Sequence, residues 1–392
     1  MASSDSSPQQ FFAPCPRGLE SVLATELAQI GATDIKQTDG GVGFSGSMTL
    51  AYRANLHSRI ASRILWKLVE KPYRNEEDIY QAALGLPWSS WFEVDHTIRV
   101  DVNAIKCPLK SLEFIVLKIK DAVCDQFRAA CGERPSVQTV EPDIRIYGFL
   151  TADRVTLYLD TSGEALFKRG NRKEAGIAPL RENLAAGILK LAGWEPGIPL
   201  LDPMCGSGTF LIEAAMMALN IAPGIERWFA FEKFKTYDAA AWEAIYNEAA
   251  AAEKPKTVLP IFGSDKYGEA LDAARANLQH AGLEDVVQLK QVDVLNVSAP
   301  APNGILVANP PYGERLGDEQ ELAEFYPQLG NVLKKHFGGW NAYIITADPA
   351  LAKLIRLTAS RRTPLYNGAL ECRLFEYKMV AGSNRKNSPP QA

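Results

Sequence analysis

Leu200-Leu201-Asp202-Pro203-Met204-Cys205-Gly206-Ser207-Gly208-Thr209 is the stretch whose reading decides the fold. A short apolar strand ends on a carboxylate, passes through a turn of small residues and enters the helical pattern Phe210 to Asn220. The glycines permit a tight turn and let a ligand approach the backbone where the helix begins. The spelling differs from the dinucleotide pattern G-x-G-x-x-G and from the phosphate loop, because no Lys follows the second Gly. An acid-ended strand before such a turn suits a ligand with a cationic amino-acid end rather than a phosphate.

Further strands repeat this plan. Val258 to Phe262 runs into Gly263-Ser264-Asp265 and a helix from Tyr267 to Ala281, and Val286 to Val292 ends at Asp293. A carboxylate at the second strand end suits a ribose diol, and Asp293 suits an adenine amino group. Asp265 lies farther from the glycine turn than the roughly 20 residues usual for such a pair. The polar and aromatic stretch Asn220 to Lys256 therefore reads as an insertion, with a helix around Ala239 to Glu253. The fourth run, Ile305-Leu306-Val307-Ala308, delivers Asn309-Pro310-Pro311-Tyr312. Here the Asn oxygen and the first Pro carbonyl can each accept from an exocyclic NH2 group, and the Tyr ring can stack on the attached base. Two prolines hold these acceptors in place. Taken singly, each Asp reads equally well as a helix cap and N-P-P-Y as an ordinary turn. The ordered set Asp202, Asp265, Asp293 and Asn309 describes an open α/β sheet with ligands along the carboxyl ends of its strands.

D-P-M-C-G-S-G-T followed by N-P-P-Y-G-E-R-L resembles the class I RNA methyltransferases that use S-adenosylmethionine (SAM) to modify guanine N2. The chain is most similar to the bacterial 23S ribosomal RNA guanine-N2 enzymes, in particular the N-terminal half of the form fused to a guanine-N7 methyltransferase. The likeness runs from Arg17-Gly18-Leu19-Glu20 through Gly40 to Phe44, Ser111 to Asp125, Arg169 to Arg172 and Ala175 to Pro179, and reaches Phe337 to Asn341. It implies a ferredoxin-like element over 8–45, a THUMP RNA-binding domain over 46–160, a Rossmann-like methyltransferase domain over 161–381 and a disordered tail over 382–392. It further implies a seven-stranded sheet whose last strand is antiparallel, with Trp340 to Thr346 as fifth strand and Arg373 to Val380 near the end. SAM is the implied cofactor, held by Asp202, Pro203, Met204, Cys205, Gly206, Gly208, Asp265, Asp293 and Asn309. Asn309, Pro310 and Tyr312 are the implied catalytic residues, acting on a flipped or single-stranded guanine. Glu314 and Arg315 would contact the flanking backbone or lock the turn. The sequence ends soon after this domain, so the N7 activity is expected to be absent from it.

Composition fits a multi-domain enzyme: 392 residues, 47% hydrophobic, are enough for two or three cores. No run suggests a membrane span or a signal peptide, and the six cysteines lack C-x-x-C spacing to one another or to the four histidines. A reduced, cytoplasmic setting without a metal site is expected. Cys205 reads as a small turn residue rather than a nucleophile, since no His base is near it in sequence.

The net charge of −4 means that any RNA contact must come from a local patch. One candidate is the amphipathic helix Ser111 to Arg128 with Lys118 and Lys120; the other is Lys168-Arg169-Gly170-Asn171-Arg172-Lys173 at the junction. The bland alternative for both is a solvated charged face. Before the junction, helices are expected at Gly18–Ile30, Arg53–Ala61 and Ile79–Leu84. Strands are expected at Val42–Phe44, Ile64–Glu70, Thr97–Val102, Asp143–Thr151 and Arg154–Asp160. Three other functions share features with this pattern: a tRNA guanine-N2 methyltransferase, a DNA adenine-N6 methyltransferase and a non-catalytic RNA-binding assembly factor.

Overall fold

The computed structural model describes residues 8–170, 180–310 and 319–380. The chain divides into two compact units, the first comprising Met1–Cys15, Leu23–Leu166 and Pro223–Ala251, the second Pro16–Val22, Phe167–Ala222 and Ala252–Ala392.

In chain order the elements up to the junction are β1 (Gln9–Pro14), α1 (Glu20–Gln29), β2 (Thr33–Thr38), β3 (Gly41–Gly46), α2 (Met48–His57), β4 (Leu65–Pro72), α3 (Glu76–Leu84), β5 (Ile98–Ala104), α4 (Leu112–Cys131), β6 (Ile144–Leu150) and β7 (Arg154–Asp160). The strands form a single seven-stranded sheet, ordered β2-β3-β1-β4-β7-β6-β5. The segment expected to be ferredoxin-like and the segment expected to be THUMP thus share one sheet, joined where Phe11 pairs with Trp66 and Phe12 with Leu65. Strict alternation in β6 buries Ile144, Ile146 and Leu150. On α4 the buried stripe is Ile115, Ile119, Ala122, Val123 and Phe127, at helical spacing. Ser111 caps α4 by accepting from the Phe114 N–H, and Gly132 closes it in the left-handed conformation.

Two strands escape the sequence reading. β1 carries two Gln and a Pro, and β2 is a polar edge strand with only Ile35 half-buried, so neither shows an apolar alternation. The second helix also begins earlier than Arg53. Ser47 caps it by accepting from the Leu50 N–H, and extended Ser58 ends it, so Met48–His57 is helical and residues 58–61 are not.

The second unit holds α5 (Glu182–Leu191), β8 (Leu200–Asp202), α6 (Thr209–Ala218), β9 (Ile261–Asp265), α8 (Gly268–His280), β10 (Gln288–Gln291), β11 (Gly304–Ala308), α9 (Glu319–His336), β12 (Trp340–Thr346), α10 (Pro349–Leu354), β13 (Arg361–Asn367) and β14 (Leu370–Lys378), with α7 (Ala239–Ala251) lying in the first unit. Its sheet runs β10-β9-β8-β11-β12-β14-β13. β14 alone runs against the others, pairing antiparallel with both β12 and β13, as expected for the last strand. β11 is buried along its whole length, as a central parallel strand must be. Tyr326, Leu329, Leu333, Phe337 and Trp340 pack beside it.

Pro223–Ala251 belongs to the first unit, where Tyr52 stacks on Phe231 at 4.2 Å and Trp242 meets Phe229, Phe231 and Tyr52 edge-on. The Tyr52 hydroxyl accepts from the Asp238 N–H. Sequence position assigns this segment to the catalytic region, whereas its aromatic face is buried against the amino-terminal unit.

Candidate active site

Strand order locates the site. From β8 the chain moves outward through β9 and β10, then returns to the other side of β8 with β11 and β12. The order therefore reverses between β8 and β11, and open α/β sheets bind ligands at the carboxyl ends of the strands beside such a reversal. Asp202 ends β8, and Asn309 follows β11, its neighbour in the sheet.

The glycine turn is fastened by backbone bonds. Cys205 N–H donates to the Ser264 carbonyl at 2.9 Å, and Gly208 N–H to the Cys205 carbonyl at 2.8 Å. Gly206 and Gly208 both adopt positive φ, which other residues reach only with strain. Gly206 N–H also donates to Asp265 Oδ2 at 3.0 Å, while Asp265 Oδ1 accepts from Tyr267 N–H at 3.1 Å. Asp265 thus ties the turn after β8 to the end of β9, a bracing role that the strand-end reading did not include. Asn277 on α8, fully buried, donates to the Ser207 carbonyl at 3.0 Å and holds the same turn from behind. A polar residue on the apolar side of a helix was the available signal for Asn277.

Asp202 is buried, and among the described residues its carboxyl accepts a single long bond, 3.2 Å, from Met204 N–H. Burial pushes its pKa up to about 8; the Met204 bond opposes this and the nearby Asp265 adds to it. Pro203 is buried and Met204 half-buried on the same turn. Cys205 is buried, and burial together with Asp202 and Asp265 drives its thiol pKa strongly upward, so it stays a neutral thiol. Asp293 caps a short turn by accepting from Leu295 N–H at 2.9 Å and lies 3.7 Å from Lys266 Nζ. One of its oxygens is therefore engaged locally.

Two buried oxygens at this end of the sheet, Ser264 Oγ and Asn309 Oδ1, have no hydrogen-bond partner among the described residues. A buried acceptor left unmade costs about 1–3 kcal/mol, and such atoms fit a group that arrives with its own donors. Pro310 is buried beside Asn309. Pro311, Tyr312, Glu314 and Arg315 lie outside the described residues. Among the described residues no group of three or more His, Cys, Asp or Glu side chains is placed to hold a metal. Likewise, no described helix is long and apolar enough to cross a membrane.

The basic candidates divide. Arg169, expected to meet RNA, is buried and paired through Nε with Glu213 Oε1 at 3.1 Å, so it is corrected to a structural residue of the second unit. Its charge is taken up by an acid on the apolar helix α6. Lys168 is exposed, and Arg172 and Lys173 lie outside the described residues. Lys118 pairs with Glu77 at 3.1 Å and lies over the Tyr80 and Phe114 rings, while Lys120 pairs with Asp121 at 2.7 Å. Both lysines are partly neutralised, which weakens the case for α4 as a phosphate-gripping face.

Comparison with known proteins agrees with this architecture. Residues 169–376 match the RMKL-like methyltransferase domain, 73–160 the THUMP domain and 10–65 the RlmL ferredoxin-like domain. The Ribosomal RNA large subunit methyltransferase K/L of Shewanella frigidimarina is 41% identical over 384 residues, and that of Shewanella loihica 42% over 386. Each comparison covers 97% of this chain and 54% of the relative, so the chain spans about half the length of these curated relatives. Among solved structures, SMU.472, described as a methyltransferase and complexed with SAH, has a TM-score of 0.87 at 34% identity, covering 96% of this chain and all of that one. A Listeria monocytogenes protein described as a predicted N6-adenine-specific DNA methylase has a TM-score of 0.86 at 30% identity, covering 95% of this chain and 97% of that one.

Proposed function

This chain belongs to the RMKL-like methyltransferase family, and from that premise we propose that it methylates the exocyclic N2 of a guanine in RNA, with 23S ribosomal RNA as the substrate. The observation that carries the proposal is Asn309 Oδ1, buried without a partner among the described residues where the sheet order reverses.

SAM supplies an electrophilic sulfonium methyl when bound. The residues that would hold it are Asp202 toward the ammonium group, the turn Pro203 to Gly208 along the methionine, Asp265 toward the ribose and Asp293 toward the adenine. Guanine N2 is a poor nucleophile because its lone pair is delocalised into the ring. Asn309 Oδ1 and the Pro310 carbonyl accept hydrogen bonds from its two N–H groups, which lets the nitrogen pyramidalise and directs the lone pair at the methyl. The contribution is positioning and directed polarity. The N2 proton becomes acidic only as positive charge develops and is then lost to solvent, so no strong base is needed beforehand. Tyr312 would stack on the flipped base.

Asp202 makes cofactor affinity depend on pH. Its carboxyl, with a pKa near 8, is mostly neutral at pH 7 without ligand. A bound ammonium favours the carboxylate, so binding below pH 8 releases a proton. SAM affinity is therefore expected to rise with pH by at most about tenfold per unit and to level off above about 8, with Asp202→Asn flattening the slope. Calorimetry in buffers of different ionisation enthalpy measures the proton directly. The same shift makes a contribution to stability that is complete below the unfolded carboxyl value of about 3.9 and lost as pH rises through about 8.

A second reading, N6 methylation of adenine in DNA, draws support from the name of the Listeria relative and from the equal suitability of N-P-P-Y for that amine. The THUMP match favours RNA. Labelled methyl transfer by the purified chain to 23S ribosomal RNA fragments and to adenine-containing DNA separates the two. Incorporation into DNA alone would defeat the RNA reading.

A further inference from the structure

The first unit contains a cleft unrelated to the strand ends described above. β1 pairs with β4 over only two positions, Phe11 with Trp66 and Phe12 with Leu65, although β1 continues along β3 through Gln10 and Gln9. On the other side, β4 shifts register against β7 between Lys67 and Val69. The β1–β4 pairing thus ends at Trp66, next to the irregularity in β4, and the seam opens there. Bulges recur where a sheet re-aims side chains toward a site. The split leaves a cleft of about 430 Å³ lined by Gln9, Gln10, Trp66, Lys67, Glu70 and Trp91 among others, within the ~300–1,000 Å³ range of small-molecule sites.

Three features of the lining point to one ligand class. The Trp66 and Trp91 rings, both half-buried, meet at 5.4 Å and 63°, forming an aromatic corner. That corner is braced from behind by fully buried Trp88, which meets Trp91 edge-on at 5.4 Å and donates its indole N–H to the Ala83 carbonyl at 2.8 Å. Gln9 Oε1 is buried without a partner among the described residues, an acceptor left unmade at the rim of the aromatic corner. Lys67, paired with Glu70 at 2.7 Å, adds a cation at the same wall. A flat aromatic ring bearing an N–H donor satisfies the corner and the orphan acceptor together.

We propose that the β1–β4 cleft binds a nucleobase through one of its N–H donors, taken from single-stranded RNA, with Trp66 and Trp91 as walls and Gln9 as the acceptor. The base held here is a second one, separate from the methylated base. The choice of RNA as its source rests on the function proposed above; the nucleobase chemistry does not.

The test titrates the full chain with short single-stranded oligoribonucleotides and separately with AMP, CMP, GMP and UMP, following tryptophan fluorescence. Trp91→Leu is expected to weaken oligonucleotide binding by about 5- to 150-fold, the range for losing one stacked base. Trp91→Phe should restore most of it. Gln9→Leu should weaken nucleotide and oligonucleotide binding without changing the thermal melt, and SAM affinity should be unchanged in every variant. Oligonucleotide binding without mononucleotide binding identifies RNA as the source; equally tight mononucleotide binding keeps the cleft and identifies a free nucleotide. Wild-type affinity for every nucleotide and oligonucleotide in both Trp91→Leu and Gln9→Leu overturns the proposal. Should Trp91→Leu not fold, Gln9→Leu and Trp91→Phe decide by the same criterion. Methyl transfer is assayed in parallel: its absence in the wild-type chain would refute the enzymatic reading while variant-sensitive base binding still upheld the cleft.

Discussion

Asn309→Ala is expected to lower methyl transfer by about 100-fold or more while leaving SAM affinity within about twofold of wild type. The scale follows from losing one preorganised polar contact to charge that develops in the transition state. Asn309 Oδ1 is buried and has no hydrogen-bond partner among the described residues, so removing it breaks no bond among them and should leave the fold intact. Asp265→Ala should behave in the opposite sense. Its carboxylate already accepts from Gly206 and Tyr267 N–H, so its loss loosens the glycine turn and removes the ribose acceptor together. Charged hydrogen bonds of this kind contribute about 1.5–3 kcal/mol each, and SAM binding should weaken accordingly. Equilibrium binding and single-turnover transfer on the same preparations check both variants. Retention of most activity by Asn309→Ala would assign the polar contact elsewhere.

Arg169→Ala should destabilise the second unit by about 3–5 kcal/mol, because it removes one partner of a buried ion pair. Replacing both partners with apolar residues, Arg169→Met with Glu213→Leu, should recover much of that loss, since paired removal also lifts the desolvation cost. Urea unfolding followed by fluorescence measures the difference. A phosphate-binding Arg169 would give the converse pattern: near-normal stability and weaker RNA binding with a flatter salt dependence.

The middle of the second sheet was legible because β8 and β11 are short apolar runs followed or ended by a polar residue, so Asp202 and Asn309 mark where these strands end, whereas β10 is the polar run Gln288–Gln291. β12 was read to the residue, Trp340–Thr346. The amino-terminal sheet was less legible at its margins. β2 has almost no buried face, and β1 is held by long-range pairing that no local pattern encodes. Charge was misleading for a related reason. In K-R-G-N-R-K the sequence shows a basic run, but only the fold shows that Arg169 turns inward to Glu213 while Lys168 stays exposed. The segment Asn220 to Lys256 was recognisable as an insertion. Its packing partner was not, because Tyr52 lies far from Phe231 and Trp242 in sequence. That packing also bears on dissecting the protein: deleting residues 1–160 would remove the Tyr52 ring against which Phe231 and Trp242 pack, so point variants are the cleaner probe.

The central claim is methyl transfer to guanine N2 at Asn309, and mass spectrometric mapping of modified nucleosides tests it most directly. 23S ribosomal RNA from cells lacking this protein is compared with RNA from the same cells supplied with the wild-type chain or with Asn309→Ala. The account predicts N2-methylguanosine at one position restored by the wild-type chain and absent with the variant. Restoration by Asn309→Ala, or a methyl group found on adenine N6 instead, would contradict it.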